Sequence, residues 1–279
     1  MCNNIDKALT NEFSRSIWSK FRKGVEEYKL IENNDRIAVC ISGGKDSMLM
    51  AKCMQMLQKY SNMSFEIEYI VMDPGYNKEN RSIISGNSDR LQLPVRIMET
   101  KIFDSTAKAE KHPCFLCARL RRGWLYKTAQ ELGCNKIALG HHFDDVIETI
   151  LMGMLYGSQV QTMMPKLHSE NYKGMQLIRP LYLVREKDII EWAEANDLHF
   201  IQCACGITSK EGSSKRSEIK KLLSQLREVN PAVDMNIFRS VENVNLQTLI
   251  SYHLGSEYHH FLDDFDKGLS IKGTNNFGL

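Results

Sequence analysis

"ISGGKDS" (residues 41–47) follows the apolar run "RIAVC" and precedes "MLMAKCMQML". A Gly-Gly-Lys between a strand pattern and a helix pattern is a phosphate-binding arrangement, but the common G-x-x-x-x-G-K-[ST] loop is not met. Asp46 follows Lys45, and no glycine stands five residues before Gly44. The physical case for an anion cradle stands without that pattern. Gly43 and Gly44 let the backbone turn and approach a ligand closely, and the first N–H groups of the next helix lack partners and carry the positive end of its dipole. Lys45 adds a mobile charge; Ser42 and Ser47 add hydroxyl donors. The plainer alternative is a glycine turn capped by Asp46 or Ser47.

Outward from this loop, strand and helix patterns alternate. Phe13, Ile17, Phe21, Val25 and Tyr28 mark one face of an N-terminal helix over 7–29. "RIAVCIS" (36–42), "FEIEYIVM" (65–72), "VRIM" (95–98) and "KIALG" (136–140) predict strands. Helices are expected after the loop, over "RLRRGWLYKTAQEL", over "DDVIETILMGMLYG", at 186–197 and after a basic loop from 209. The alternation implies an α/β fold: a parallel twisted sheet with helices on both faces, ligands binding at the carboxyl ends of its strands. The expected division is a helical segment over 1–34, the main domain over 35–205, and a basic helical extension and tail over 206–279, its last twenty residues poorly ordered.

The 279 residues are 43% hydrophobic and 25% charged with a net charge of +2, which neither requires nor excludes a polyanion. With no apolar run of membrane length and no leader pattern, the chain is expected in the cytosol, away from membranes. There the eight cysteines read as thiols or metal ligands rather than a disulfide framework. Cys114 and Cys117 form a C-x-x-C followed by Arg119, Arg121 and Arg122, whose charge favours thiolates. Cys203 and Cys205 could complete a site. Structural zinc, a [4Fe-4S] cluster with one open iron, a redox dithiol and a coincidental pair of thiols all fit that spacing.

In "GHHFDDVIET" Asp144 and Glu148 stand four apart, with Asp145 three before Glu148, an acidic helix face that also suits N-capping. Arg119, Arg121, Arg122 and Lys127 with Trp124 and Tyr126, and Lys210, Lys215, Arg216, Lys220 and Lys221, form two basic stretches beside the cysteine motifs. They read as a surface for nucleic acid, with Trp124 and Tyr126 taken singly belonging to the core.

"SGGKDS" after a first strand resembles the PP-loop signature of the ATP pyrophosphatase superfamily (adenine nucleotide alpha hydrolase-like fold). Together with "IALGHHFDDVIETILMGMLYG", "MPKL", "IRPLYLVREKDI" and "CACG", in order from about residue 35 to about 245, the chain resembles the tRNA 2-thiocytidine synthetase (TtcA) group of that superfamily. The resemblance implies an enzyme that uses ATP, Mg²⁺ and a [4Fe-4S] cluster to adenylate and thiolate a cytidine of the tRNA anticodon loop. It implies a homodimer, a sulfur donor such as a cysteine desulfurase, and release of AMP and pyrophosphate. Carried residue by residue, Ser42, Gly43, Gly44, Lys45, Asp46, Ser47, Asp73, Gly140, His141 and Asp145 would hold ATP and its metal. Lys45, Asp46, Cys203 and Cys205 would act in catalysis, and Cys114, Cys117 and Cys203 would ligate the cluster. The family's second motif is C-x-x-C before Gly, whereas this chain has C-x-C, so Cys205 is the alternative third ligand. A persulfide on Cys203 or Cys205 without a cluster, another target base, a lysidine synthetase-like ligase, and a zinc-stabilised RNA-binding protein are the competing readings.

Overall fold

In the computed structural model, the described residues are 4–107, 113–201 and 215–265. The chain opens with α1 (Asn4–Thr10), a wide π-helical turn over Ser14–Trp18, and α2 (Ser19–Glu27). The expected single helix is interrupted for a geometric reason. Ile5, Leu9, Phe13, Ile17, Phe21 and Val25 recur every fourth residue and are all buried. At 3.6 residues per turn such a stripe drifts by about 40° per step, and a wide turn takes up the drift.

The strands are β1 (Arg36–Ile41), β2 (Glu66–Asp73), β3 (Arg96–Glu99), β4 (Lys136–Ala138), β5 (Lys166–His168) and β6 (Gln176–Ile178). Between them run α3 (Lys45–Tyr60), α4 (Lys78–Leu91), α5 (Ile102–Ala107), α6 (Pro113–Glu131) and α7 (Phe143–Gly157), with α8 (Glu186–Ala195) after β6. The sheet order is β3-β2-β1-β4-β6-β5; all pairings are parallel except β5 against β6. Along β1 the burial alternates in destination. Ile37, Val39 and Ile41 enter one core with α3, α8 and the N-terminal helices, while Ala38 and Cys40 enter another with Tyr126 and Ala129 of α6. That period of two is what a strand buried on both faces requires. The N-terminal helices are thus part of the main core. The helix over α4 and the strand β5 are additions to the sequence reading.

The chain divides into two compact units, Met1–Leu222 and Leu223–Leu279, the division falling within α9 (Lys215–Val229). In the second unit Arg227 pairs with Asp234 of α10 (Val233–Ser240) at 3.0 Å. The hairpin of β7 (Ser251–Leu254) and β8 (Glu257–His260) follows, with Tyr252 stacked on His259 at 4.7 Å, and then α11 (Leu262–Phe265). His259 to Phe265 therefore have regular structure where a loose tail was expected; residues 266–279 lie outside the described residues.

α1 is tied to α3 by a buried ion pair, Lys52 Nζ to Asp6 Oδ1 at 2.6 Å, and the same ammonium donates to the Leu91 carbonyl. Lys52→Ala strands a buried carboxylate and should cost about 3–5 kcal/mol, seen as a lower urea midpoint. Replacing both partners with apolar residues (Asp6→Leu, Lys52→Met) should restore most of that loss.

Candidate active site

The strand order reverses direction between β1 and β4, and the turns leaving these two strands face one another there. The β1 turn is pinned from within. The Ser47 hydroxyl donates to the Gly44 carbonyl at 2.9 Å and accepts the Ser42 N–H at 3.1 Å. Gly43 has φ +84°, and a side chain there would meet Ile84 and Ile201 at 2.8 Å. Gly44, the N-cap of α3, supplies no side-chain cap, so the first turn of a 16-residue helix presents its N–H groups without a capping side chain. A cavity of about 430 Å³ opens in front of it, walled by Ser42, Asp46, Gly140, His141 and Asp145 and by Ala118, Arg121 and Arg122 of α6.

The opposite wall comes from the turn after β4. Gly140 lies against the backbone of α3: an added Cβ would sit 2.9 Å from the Ser47 nitrogen and 3.1 Å from the Asp46 carbonyl carbon. His141 is held neutral, its pKa lowered to about 4 by burial first and then by the Arg179 charge. Its buried Nδ1 has no hydrogen-bond partner among the described residues, an atom ready for a ligand. Arg179 is buried as well, and burial lowers its pKa to about 10. His142 caps α7 in a capping box: the Asp145 N–H donates to its ring, and its own N–H donates to Asp145 Oδ2 at 3.0 Å. Asp145 thus serves both as a cap and as part of the cavity wall.

The acidic face of α7 meets partners that sequence reasoning assigned elsewhere. Arg216 lies 3.2 Å from Asp145 Oδ1 and 2.8 Å from Glu148 Oε2. Lys220, one turn further along α9, reaches Glu148 at 3.7 Å and Glu186 at 2.9 Å. Asp144 accepts the Glu186 N–H at 2.7 Å, fastening the start of α8. Lys45 bridges Asp46 at 3.2 Å and Glu186 at 3.0 Å. Burial alone would push the Glu186 carboxyl up, yet hydrogen bonds from Lys220 and Lys45 hold it down at about 2. Glu186 was not singled out in the sequence because a first-turn acid reads as dipole compensation. The i, i+4 spacing of Arg216 and Lys220 was the available signal that the basic helix faces acids.

Asp73 is fully buried, and its carboxylate is occupied by the Gly75 N–H at 2.8 Å, the Tyr76 N–H at 2.6 Å and Arg81 Nε at 2.5 Å. It shapes the turn after β2 rather than lining the cavity, where Met72 stands instead. Tyr76, oriented by that turn, donates to the Ser42 carbonyl at 3.1 Å. Cys114 and Cys117 lie in the first turns of α6, earlier than the expected helix start, and Cys117 is half-buried. Ala118 and Arg121 line the cavity, and Cys117 stands one turn before Arg121 on the same helix. Cys203, Cys205 and Lys210 lie outside the described residues. Among the proposed RNA-facing residues, Tyr126 is buried and stacked on Tyr172 at 4.9 Å, and Trp124 packs against the same core. Lys127 faces Glu131 at 3.9 Å, and Lys215 lies over the Tyr156 ring.

Gly140→Ala must push the α3 backbone away, so ATP affinity should fall about 10-fold or more with the fold retained, as measured by calorimetric titration. Glu186 has a depressed folded pKa, so its stabilisation is present above the unfolded value near 4.3 and is lost as pH falls towards about 2. The difference in unfolding free energy between the wild type and Glu186→Gln should therefore shrink across that acid window, as followed by urea titration.

Comparison with known proteins places this architecture. The PP-loop domain family (ATP_bind_3) matches residues 13–252. The tRNA-cytidine(32) 2-sulfurtransferase of Coxiella burnetii is 36% identical over 237 residues, 84% of this chain and 91% of that protein. That of Vibrio cholerae is 36% identical over 251 residues, 88% of this chain and 79% of that protein. Among solved structures, the U34-tRNA thiolase NcsA from Methanococcus maripaludis, with its [4Fe-4S] cluster, shares the fold. Its TM-score is 0.64 at 22% identity, over 91% of this chain and 88% of that one. The chain belongs to the PP-loop family and, within it, to the tRNA-cytidine(32) 2-sulfurtransferases.

Proposed function

We propose that this chain is an ATP-dependent tRNA sulfurtransferase that adenylates a cytidine of the anticodon loop and replaces its 2-oxygen with sulfur. One observation carries the reading: α6, whose first turns hold the Cys114 and Cys117 positions, supplies Ala118, Arg121 and Arg122 to the wall of the cavity at the start of α3. Cys117 stands four residues, about 6 Å along the helix, before Arg121, which lines the cavity.

In this reading the α3 N–H groups and Lys45 hold the ATP phosphates, with Mg²⁺ arriving on the nucleotide and met by Asp46 or Asp145. Incoming phosphates compete with Glu186 for Lys45, an exchange of one anion for another around the same ammonium. The cytidine O2 attacks the α-phosphorus, pyrophosphate leaves, and Lys45 and the helix N-terminus stabilise the charge that develops. Neutral His141 offers Nδ1 as a hydrogen-bond partner to the nucleotide. Sulfur then adds at C2 and AMP departs.

The donor set suits an iron–sulfur cluster. Burial pushes the Cys40 thiol up to about 12 and Cys134 to about 11, and raises Cys53 as well, so these three are protonated core thiols. Cys117 is half-buried on the cavity's helix, with Arg121 one turn away. Cys114, Cys117 and Cys203, or Cys205 in its place, would hold a [4Fe-4S] cluster, which when bound supplies an iron open to carry sulfur. A sulfur donor such as a cysteine desulfurase, a homodimer and a cytoplasmic setting complete the proposal. Among the described residues no helix is long and apolar enough to cross a membrane.

Protein purified without oxygen, given tRNA, ATP and sulfide, should form AMP, pyrophosphate and 2-thiocytidine in equal amounts, with thiolation read by mass spectrometry of digested RNA. Lys45→Ala should lower turnover by about 10²–10³-fold. Cys117→Ser should abolish thiolation, and only one of Cys203→Ser and Cys205→Ser should lose the iron and its visible absorption. Zinc in place of iron, or ATP cleavage that leaves the RNA unchanged, would overturn the proposal.

A further inference from the structure

A second cavity, of about 650 Å³, lies on the neighbouring face of α6. Its volume falls within the roughly 300–1,000 Å³ typical of small-molecule sites. One wall is a single helical stripe, Phe115, Arg119, Arg122 and Tyr126, at spacings of four, three and four. The other is the end of β5 and the loop beyond it, with His168 and Asn171. The parallel Tyr126–Tyr172 stack backs the cavity, and the Tyr172 hydroxyl donates to the Gly123 carbonyl at 3.0 Å. The site therefore has a fixed wall.

Its chemistry is mixed in a specific way. Phe115 is 71% exposed and lines this cavity, so its ring is open to stack on a base. Arg119 and Arg122 supply two cations, against the lone lining carboxylate, Glu170. An aromatic face, paired guanidinium groups and hydrogen-bonding side chains at the rim match one unpaired nucleotide: a base to stack, a phosphate to hold and a base edge to meet. Ala118 and Arg122 line this cavity and the one at the α3 N-terminus alike. An RNA strand entering the first cavity with its target base has a ready place for the adjoining nucleotide in the second, past the methyl group of Ala118.

We propose that the cavity between α6 and the β5 loop binds an unpaired nucleotide of the substrate RNA next to the modified base. The inference rests on the tRNA sulfurtransferase reading and adds to it the location of a second RNA subsite.

The test is titration of the full-length protein with a fluorescein-labelled anticodon stem-loop RNA at several salt concentrations, read by anisotropy. Two exposed residues on opposite walls serve as variants, Arg119→Ala and Asn171→Trp. Each should weaken RNA binding about 10-fold or more, while ATP binding measured without RNA stays at the wild-type level. Arg119→Ala should also lower the slope of log affinity against log salt by about 0.7, the share of one phosphate contact on single-stranded RNA. Asn171→Trp, which only fills the space, should leave the slope alone. If both variants bind the RNA as the wild type does, this cavity is not the subsite, and the sulfurtransferase reading stands. If the wild type itself binds no RNA at any salt concentration, both fall together.

Discussion

The whole site depends on one close approach, that of Gly140 to the backbone of Asp46 and Ser47. At this point the turn after β4 touches the first turn of α3, and a hydrogen in place of a side chain is what lets them meet. The contact fixes the separation of two adjacent parallel strands at their carboxyl ends, the crevice where the direction of strand order changes. From it follow the positions of Lys45 and Asp46 on one side and of His141, the His142 cap and Asp145 on the other. α7 can start where it does only because this turn is held against α3.

A second constraint is electrostatic. Lys45, Arg216 and Lys220 alternate with Asp46, Asp145, Glu148 and Glu186, so each cation touches two carboxylates. Lys45 and Glu186 are about a quarter exposed, and Glu148 is almost fully covered. Charges so placed lose hydration, and their partners must replace it. A polyphosphate with its metal can substitute for the carboxylates around Lys45 without leaving any group uncompensated. The arrangement keeps the cradle formed and its lysine aimed before the nucleotide arrives, so less ordering accompanies binding.

The fold was legible where local signals and tertiary demand agree. The loop at 41–47, the strands around it and α7 each announce themselves through glycine, β-branched runs and a capping pattern. The antiparallel edge strand β5, with three residues, and the hairpin β7–β8 carry no period long enough to read. The π turn before Trp18 is visible only once every fourth residue is known to be buried. Within the site, Gly140 and His141 line the cavity at the start of α3, and Lys45 is the first residue of that helix. Glu186 and Arg179 escaped notice, and Arg216 and Lys220 were read as a nucleic-acid surface, because their roles come from contacts across more than thirty positions of chain. Asp73 shows the opposite case, since a turn-forming aspartate and a ligand-binding one look alike until its three donors are counted.

Helix α6 joins these arguments because it separates two spaces and belongs to both. Its cysteines enter at the first turns; Ala118 follows one turn on, and Arg121 and Arg122 one turn beyond that. Ala118 and Arg122 line both cavities, and an acid at 122 would repel an anion in either. Arg122, which lines both cavities, is the cation the two spaces share.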